Sequence, residues 1–336
     1  MLKNSLLFLT CLLVIIGLLA LGIKLEWDTV SWVQLGKLFM AGFSEGSDTA
    51  LIFWQLRLPR LVLALVVGAS LGFSGYLIQM LVNNPLADPY ILGASTGASF
   101  GINLALCGVI PVFIGQMYLP PLLAFGGAMI VMFLVLLIAW GKSGFGAFKM
   151  LLAGIALSST FNAMTSLLIY TSDSADKFKN ILFWTMGSFD RATWIGIQNI
   201  GVVLVINLLL MLLMWKQINM LYLGQQRARS LGLPVNTVVA LILISTSLVT
   251  GLAIAESGPI GFVGLIIPHF VRAVFGAGGK LNLIFAVLFG AIFMLACEVI
   301  SKPLMPPSGL PVGVISSFIG IPIFIYLIYK SSYKFN

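Results

Sequence analysis

Ten runs of about twenty predominantly apolar residues, joined by polar links, leave this chain only one solvent in which to fold. The runs lie at 6–23, 58–82, 91–110, 119–140, 147–170, 194–214, 236–254, 259–275, 281–299 and 311–329. Their apolarity is continuous rather than alternating, which selects spanning helices over the strands of a barrel. Composition closes off a water-exposed fold. Of 336 residues, 60% are hydrophobic and 8% charged, with a mean hydropathy of +1.10, whereas a soluble domain carries about a quarter charged residues. The expected fold is all-α, a polytopic membrane protein of about ten transmembrane helices in a single domain over 1–336. The first run is about 18 residues long, beyond the roughly 7–15 of a signal-peptide core, so it is expected to be a retained span.

Ten spans put both termini on one side. If that side is the cytoplasm, the inner segments hold ten basic residues against Asp88 alone, and the outer segments eight basic against nine acidic. This positive-inside bias accounts for the net charge of +8 and gives no reason to invoke nucleic acid. Cys11, Cys107 and Cys297 all fall in apolar runs, with no CxxC and no Cys/His cluster, so neither a metal site nor a disulfide framework is indicated. His269 is the only histidine and lacks co-ligands. Gly141-Lys142-Ser143 resembles the end of a phosphate-binding loop, but the required glycine five residues earlier is Leu136, inside a span. Any ATPase must be a separate chain. Gly141 to Lys149 reads instead as a flexible inner loop.

The densest punctuation lies between Arg57 and Gly101. Arg57 and Arg60 bracket Pro59, which suits the first turn of a helix. Gly68 and Gly72 are four apart, as are Gly93, Gly97 and Gly101, which lines small residues along one helix face. The two runs read as packed membrane helices around the polar turn Asn83–Pro89, where Asp88 is placed to cap the helix that follows. Trp27, Trp32 and Trp54 suggest a short interfacial or re-entrant helix in 24–56. Phe178, Ile181, Leu182 and Trp184 suggest another at the outer surface in 171–193. The basic link 215–235 reads as a short helix ended by Gly232 and Pro234.

These motifs closely resemble the permease subunits of ATP-driven importers for iron–siderophore, haem and vitamin B12, the vitamin B12 permease-like family. The resemblance is carried by Arg57 to Arg60, Gln79, Asn84 to Pro89 with Leu92-Gly93, Ala228 to Gly232, Gly258 to Arg272, and Leu310 to Gly313. It covers the chain from about residue 50 to 329. It implies a bacterial cytoplasmic-membrane permease with no catalytic residues, metal or cofactor of its own. It also implies assembly as a homodimer in lipid, with two ATP-binding-cassette ATPases inside and one substrate-binding protein outside. By resemblance, Arg57, Arg60 and Lys302 dock the binding protein. Gln225, Gln226, Arg227, Ala228, Arg229, Ser230, Leu231 and Gly232 couple to the ATPase. Ala147, Phe148 and Lys149 belong to the cytoplasmic gate. Ser158, Asn162 and Thr165, with Ser316 and Ser317, line the path between two copies.

The chain departs from the family pattern at three places. Gln225 and Gln226 stand where a Glu is common, Gly276 to Gly279 replace an Asp-His pair, and Gly309 replaces a Glu before Leu310-Pro311. Plainer roles stand beside the functional ones. The arginines could anchor a helix end by snorkelling, the small polar residues could bond between helices, and 215–235 could be an ordinary positive-inside loop. The competing class is an ion-coupled secondary transporter, which places ionisable groups near the bilayer midplane. Asp88, Glu256, His269 and Glu298 all lie near span ends instead.

Overall fold

The computed structural model describes residues 2–25, 31–41, 48–110, 119–141, 144–172, 175–276, 278–305 and 309–330. Trp27, Lys142, Ser143, Pro306 and Pro307 therefore lie outside the described residues, as does the side chain of Phe178. The described residues are helical nearly throughout. In order come α1 (Leu2–Leu25), α2 (Trp32–Ala41), α3 (Asp48–Ile52), α4 (Leu58–Val82), α5 (Ala94–Leu106), α6 (Leu119–Ala139), α7 (Ala147–Tyr170) and α8 (Ala175–Thr185). They are followed by α9 (Trp194–Leu213), α10 (Trp215–Met220), α11 (Gln225–Ser230), α12 (Val235–Ser257), α13 (Val263–Phe275), α14 (Lys280–Leu304) and α15 (Val312–Lys330).

Each of the ten apolar runs holds a helix, but the described residues form only seven helices long and apolar enough to cross a membrane. The runs at 91–110 and 259–275 yield α5 and α13, of 13 residues each, about 20 Å long and short of a 30 Å hydrocarbon core. Both runs open on backbone that is not α-helical, with Leu92, Gly93 and Ile260 buried in protein, where polar groups can be met. The two breaks meet each other: Tyr90, in the 3₁₀ turn Pro89–Leu92, accepts at its hydroxyl from the Ile260 N–H at 3.0 Å.

Helix α4 is the spine. It packs against α14, α12, α13, α9 and α1 and buries most of its side chains. Pro59 stands in its first turn, as the sequence suggests, but the helical backbone starts earlier. A π-turn, Phe53–Arg57, joins it to α3, giving one helical stretch Asp48–Val82 of 35 residues. The wider turn gives Pro59 room where its ring would press on a preceding carbonyl and its absent N–H would break a ladder.

The glycine stripes do pack closely, but not against each other. A Cβ on Gly68 would overlap the Gly290 carbonyl of α14, and one on Gly72 the Ala286 carbonyl, so α4 lies backbone to backbone on α14. Gly97 and Gly101 lie in the same way against Gly127 and Leu123 of α6.

The expected flexible loop at 141–149 is largely ordered. Trp140–Gly141 pairs antiparallel with Gly144–Phe145, the Gly146 N–H closes on the Ala139 carbonyl at 3.1 Å, and α7 starts at Ala147. The short helices expected outside the spans are present as α2 and α8. In α8, Ile181 and Trp184 are buried and Leu182 faces out.

Candidate functional site

The two ends of α4, about 37 Å apart for 25 residues, carry different chemistry. At the first end Arg60 and Lys302 come together on a residue the sequence did not single out. Arg60 Nη1 lies 3.3 Å and Lys302 Nζ 3.1 Å from Asp190 Oδ1. Lys302 also reaches Glu298 Oε1 at 3.4 Å, one turn away on α14. The Ser188 hydroxyl donates to Asp190 Oδ2 at 2.7 Å, and Ser188 Oγ in turn accepts from the Asp190 N–H at 3.1 Å. Arg57, half-buried, stands in the π-turn just before α4. The spacing Glu298-x-x-x-Lys302 was a legible signal of a helical ion pair. Asp190 carries no such signal, because it reaches Arg60 only through the fold.

Between the ends, two of the motif blocks prove to be one structure. A Cβ on Gly75 would overlap the Gly264 carbonyl of α13. Just below, Gln79 Nε2 donates to the Gly264 and Leu265 carbonyls at 3.2 and 3.1 Å, and its Oε1 accepts from Arg272. The amide thus ties α4 to α13 at three points. Asn83 ends α4 in the left-handed region (φ 51°), and Asp88 Oδ1 accepts from the Tyr90 N–H at 2.8 Å, the capping role its position suggested. Burial pushes the Asp88 carboxyl up to about 6, against the opposing effect of that hydrogen bond.

At the far end the link 215–235 is two short helices rather than one. Trp215 of α10 stacks on Tyr76 of α4, with ring centres 6.4 Å apart. Gly224 then turns the chain into α11. The end of α11 is a Schellman motif. Gly232 takes φ +82°, its N–H donates to the Arg229 carbonyl at 2.9 Å, and the Leu233 N–H donates to the Ala228 carbonyl at 3.1 Å. Ala228 is fully buried and holds α11 down, while Gln226, Arg227, Arg229, Ser230 and Leu231 are exposed, Leu231 at 61%. Gln225 is half-buried, and Arg229 Nη2 donates to Asn236 at 3.1 Å. Of the gate residues, Phe148 (73% exposed) and Lys149 project from the first turn of α7 and Ala147 is half-buried.

The five polar residues assigned to the path do not share one environment. On α7, Asn162 is exposed, Ser158 half-buried and Thr165 buried, with the Thr165 hydroxyl spent on the Phe161 carbonyl at 2.9 Å. On α15, Ser316 is fully buried and bonds to the Gly261 and Gly313 carbonyls. Ser317 instead lines an open cleft of about 360 Å³ with Met186, Pro259 and Phe318. Spacing placed Ser158, Asn162 and Thr165 within one arc; the packing of α7 on α5 and α6 divides that arc.

A bundle of apolar helices, with a charged cluster at one end of its spine and a projecting helix-turn at the other, defines a polytopic membrane permease. The match of residues 9–330 to the FecCD transport family model shows that the chain belongs to that family. It is 33% identical over 335 residues to a hemin transport system permease protein of Yersinia pestis, covering 96% of both chains. It is 36% identical over 287 residues to a vitamin B12 import system permease protein of Salmonella typhi, covering 84% of this chain and 85% of the relative. A solved structure described as an inward-facing conformation of a metal-chelate type ABC transporter superposes with a TM-score of 0.77 at 29% identity. That superposition covers 94% of this chain and 99% of the other. The chain is thus an ABC permease subunit, and ATP hydrolysis lies in separate subunits.

Proposed function

We propose that this chain carries an iron–siderophore, haem or cobalamin-type ligand inward across the bacterial cytoplasmic membrane. It does so as one of two copies, with both termini in the cytoplasm. A binding protein docks on the end bearing Arg57, Arg60 and Lys302. Two ATPases grip the Gln225–Gly232 segment, and their closure moves the spans as rigid bodies. Residues 147–149 gate the inner mouth. Of the polar residues assigned to the path, Asn162 and Ser317 have the most open surroundings. The observation that carries the reading is α11 itself: anchored through Ala228, capped at Gly232, and otherwise turned outward with an apolar tip at Leu231.

The test is uptake into proteoliposomes of the ligand that co-purifies with the binding protein. Uptake is expected to require ATP and the ATPase subunits and to be indifferent to ion gradients. Uptake driven by an ion gradient without ATP would replace this reading with that of a secondary transporter. Leu231→Asp is expected to leave the permease folded and to weaken ATPase association at least tenfold, since a charge in an apolar contact goes uncompensated. Co-purification of the ATPase with the variant in detergent checks it.

A further inference from the structure

The recessed cations of the outer cluster are already paired within the chain. Two cations, Arg60 and Lys302, face two carboxylates, Asp190 and Glu298. The two acids are not equivalent. Glu298 is buried to 1% exposure and lies on the same helix as Lys302, as a fixed partner. Asp190 is 43% exposed, sits on the loop between α8 and α9, and is shared by both cations through the single atom Oδ1. The cations themselves are recessed, with side chains 21% and 10% exposed. Burial alone would push the Asp190 carboxyl up, but the Ser188 hydroxyl, Lys302 and Arg60 outweigh it and hold the group below the usual carboxylate range. Asp190 is therefore a charged ligand already seated where an incoming carboxylate would sit.

We propose that Asp190 is an internal stand-in for a carboxylate on the extracytoplasmic binding protein, and that docking proceeds by exchange. The partner's carboxylate takes Arg60 and Lys302 as Asp190 leaves. This rests on the docking role of Arg60 and Lys302 proposed above, and adds a residue that sets how tightly the partner is held. Recessed cations stay paired before and after exchange, so neither state leaves a recessed charge uncompensated, and the displaced Asp190 carboxylate, 43% exposed, passes to solvent. The net gain is correspondingly small, which suits a partner that must leave once per cycle.

The exchange also has a mechanical outlet. The Ser188 N–H donates to the Ser257 carbonyl at the end of α12 at 2.8 Å, and the Gly313 N–H at the start of α15 reaches the Gly187 carbonyl at 3.4 Å. Releasing Asp190 frees a loop tied to both helices.

The experiment measures binding of the cognate binding protein to the permease–ATPase complex in lipid nanodiscs, with the binding protein itself as probe. Asp190→Asn is expected to tighten binding by about twofold to tenfold, chiefly through a faster on-rate, and to steepen the salt dependence. Ser188→Ala, which loosens the carboxylate without removing it, is expected to shift affinity the same way by less. If Asp190 merely clamps the docking face in shape, Asp190→Asn will bind equally or more weakly, and the proposal falls. Should Asp190→Asn fail to fold, Ser188→Ala decides by the same criterion. Arg60→Glu separates the two readings. Affinity unchanged by Arg60→Glu overturns the docking role itself. Affinity lost in Arg60→Glu and not gained in Asp190→Asn overturns only the exchange.

Discussion

Gln79 shows how much one neutral side chain can hold in a membrane protein. Its amide donates to two carbonyls of α13 and accepts from Arg272, so leucine at this position would leave buried acceptors without a donor. Gln79→Leu is expected to cost about 2 kcal/mol or more, read as a lowered midpoint of thermal unfolding in detergent. Asp88 supplies the pH-dependent counterpart. Its carboxyl is raised by burial to about 6, against about 3.9 in an unfolded chain. The folded state therefore holds the proton more tightly. The contribution to stability is fully present below about pH 4, is lost as pH rises towards 6, and is flat above that. Asp88→Asn keeps an acceptor for the Tyr90 N–H and removes the titration. Its unfolding midpoint is expected to vary less than wild type between pH 4 and 6, and the two curves should run parallel from pH 7 to 8.

At the scale of elements, the seam between α4 and α14 governs stability. Gly68→Val places side-chain atoms where the Gly290 carbonyl already lies, and overpacking of this kind costs about 1–3 kcal/mol or prevents assembly. Gly126→Ala on α6 meets nothing within 4 Å and is expected to be neutral or slightly stabilising; thermal inactivation of the two variants compares them. The stripe itself was legible, because spacing by four is a local property of a helix. Its partner was not, since Gly290 and Ala286 lie more than two hundred residues away and nothing in the spacing names them. The same limit hid Asp190 from Arg60, and Tyr90 from Ile260. The shortness of α5 and α13 was also hidden. Hydropathy registers burial, and a non-helical turn enclosed by other helices is as apolar in its flanks as a helix. By contrast the cap at Gly232 could be read, because a left-handed glycine followed by a proline needs only its own neighbours.

For the molecule as a whole, the proposed orientation places Leu231 inside and Lys179 outside. In a Cys107→Ser background, Leu231→Cys is expected to react with a membrane-impermeant maleimide only after the cytoplasmic face is opened, and Lys179→Cys from the outside of intact cells. The reverse pattern would invert the topology and with it the roles of both ends of α4. One further consequence follows from the contact between Gly68 and Gly290. Where main chain rests on main chain, no deformable layer of side chains lies between the helices to take up shear. The α4–α14 pair is then expected to travel as one stiff strut, which leaves relative movement to more thinly covered helices such as α7.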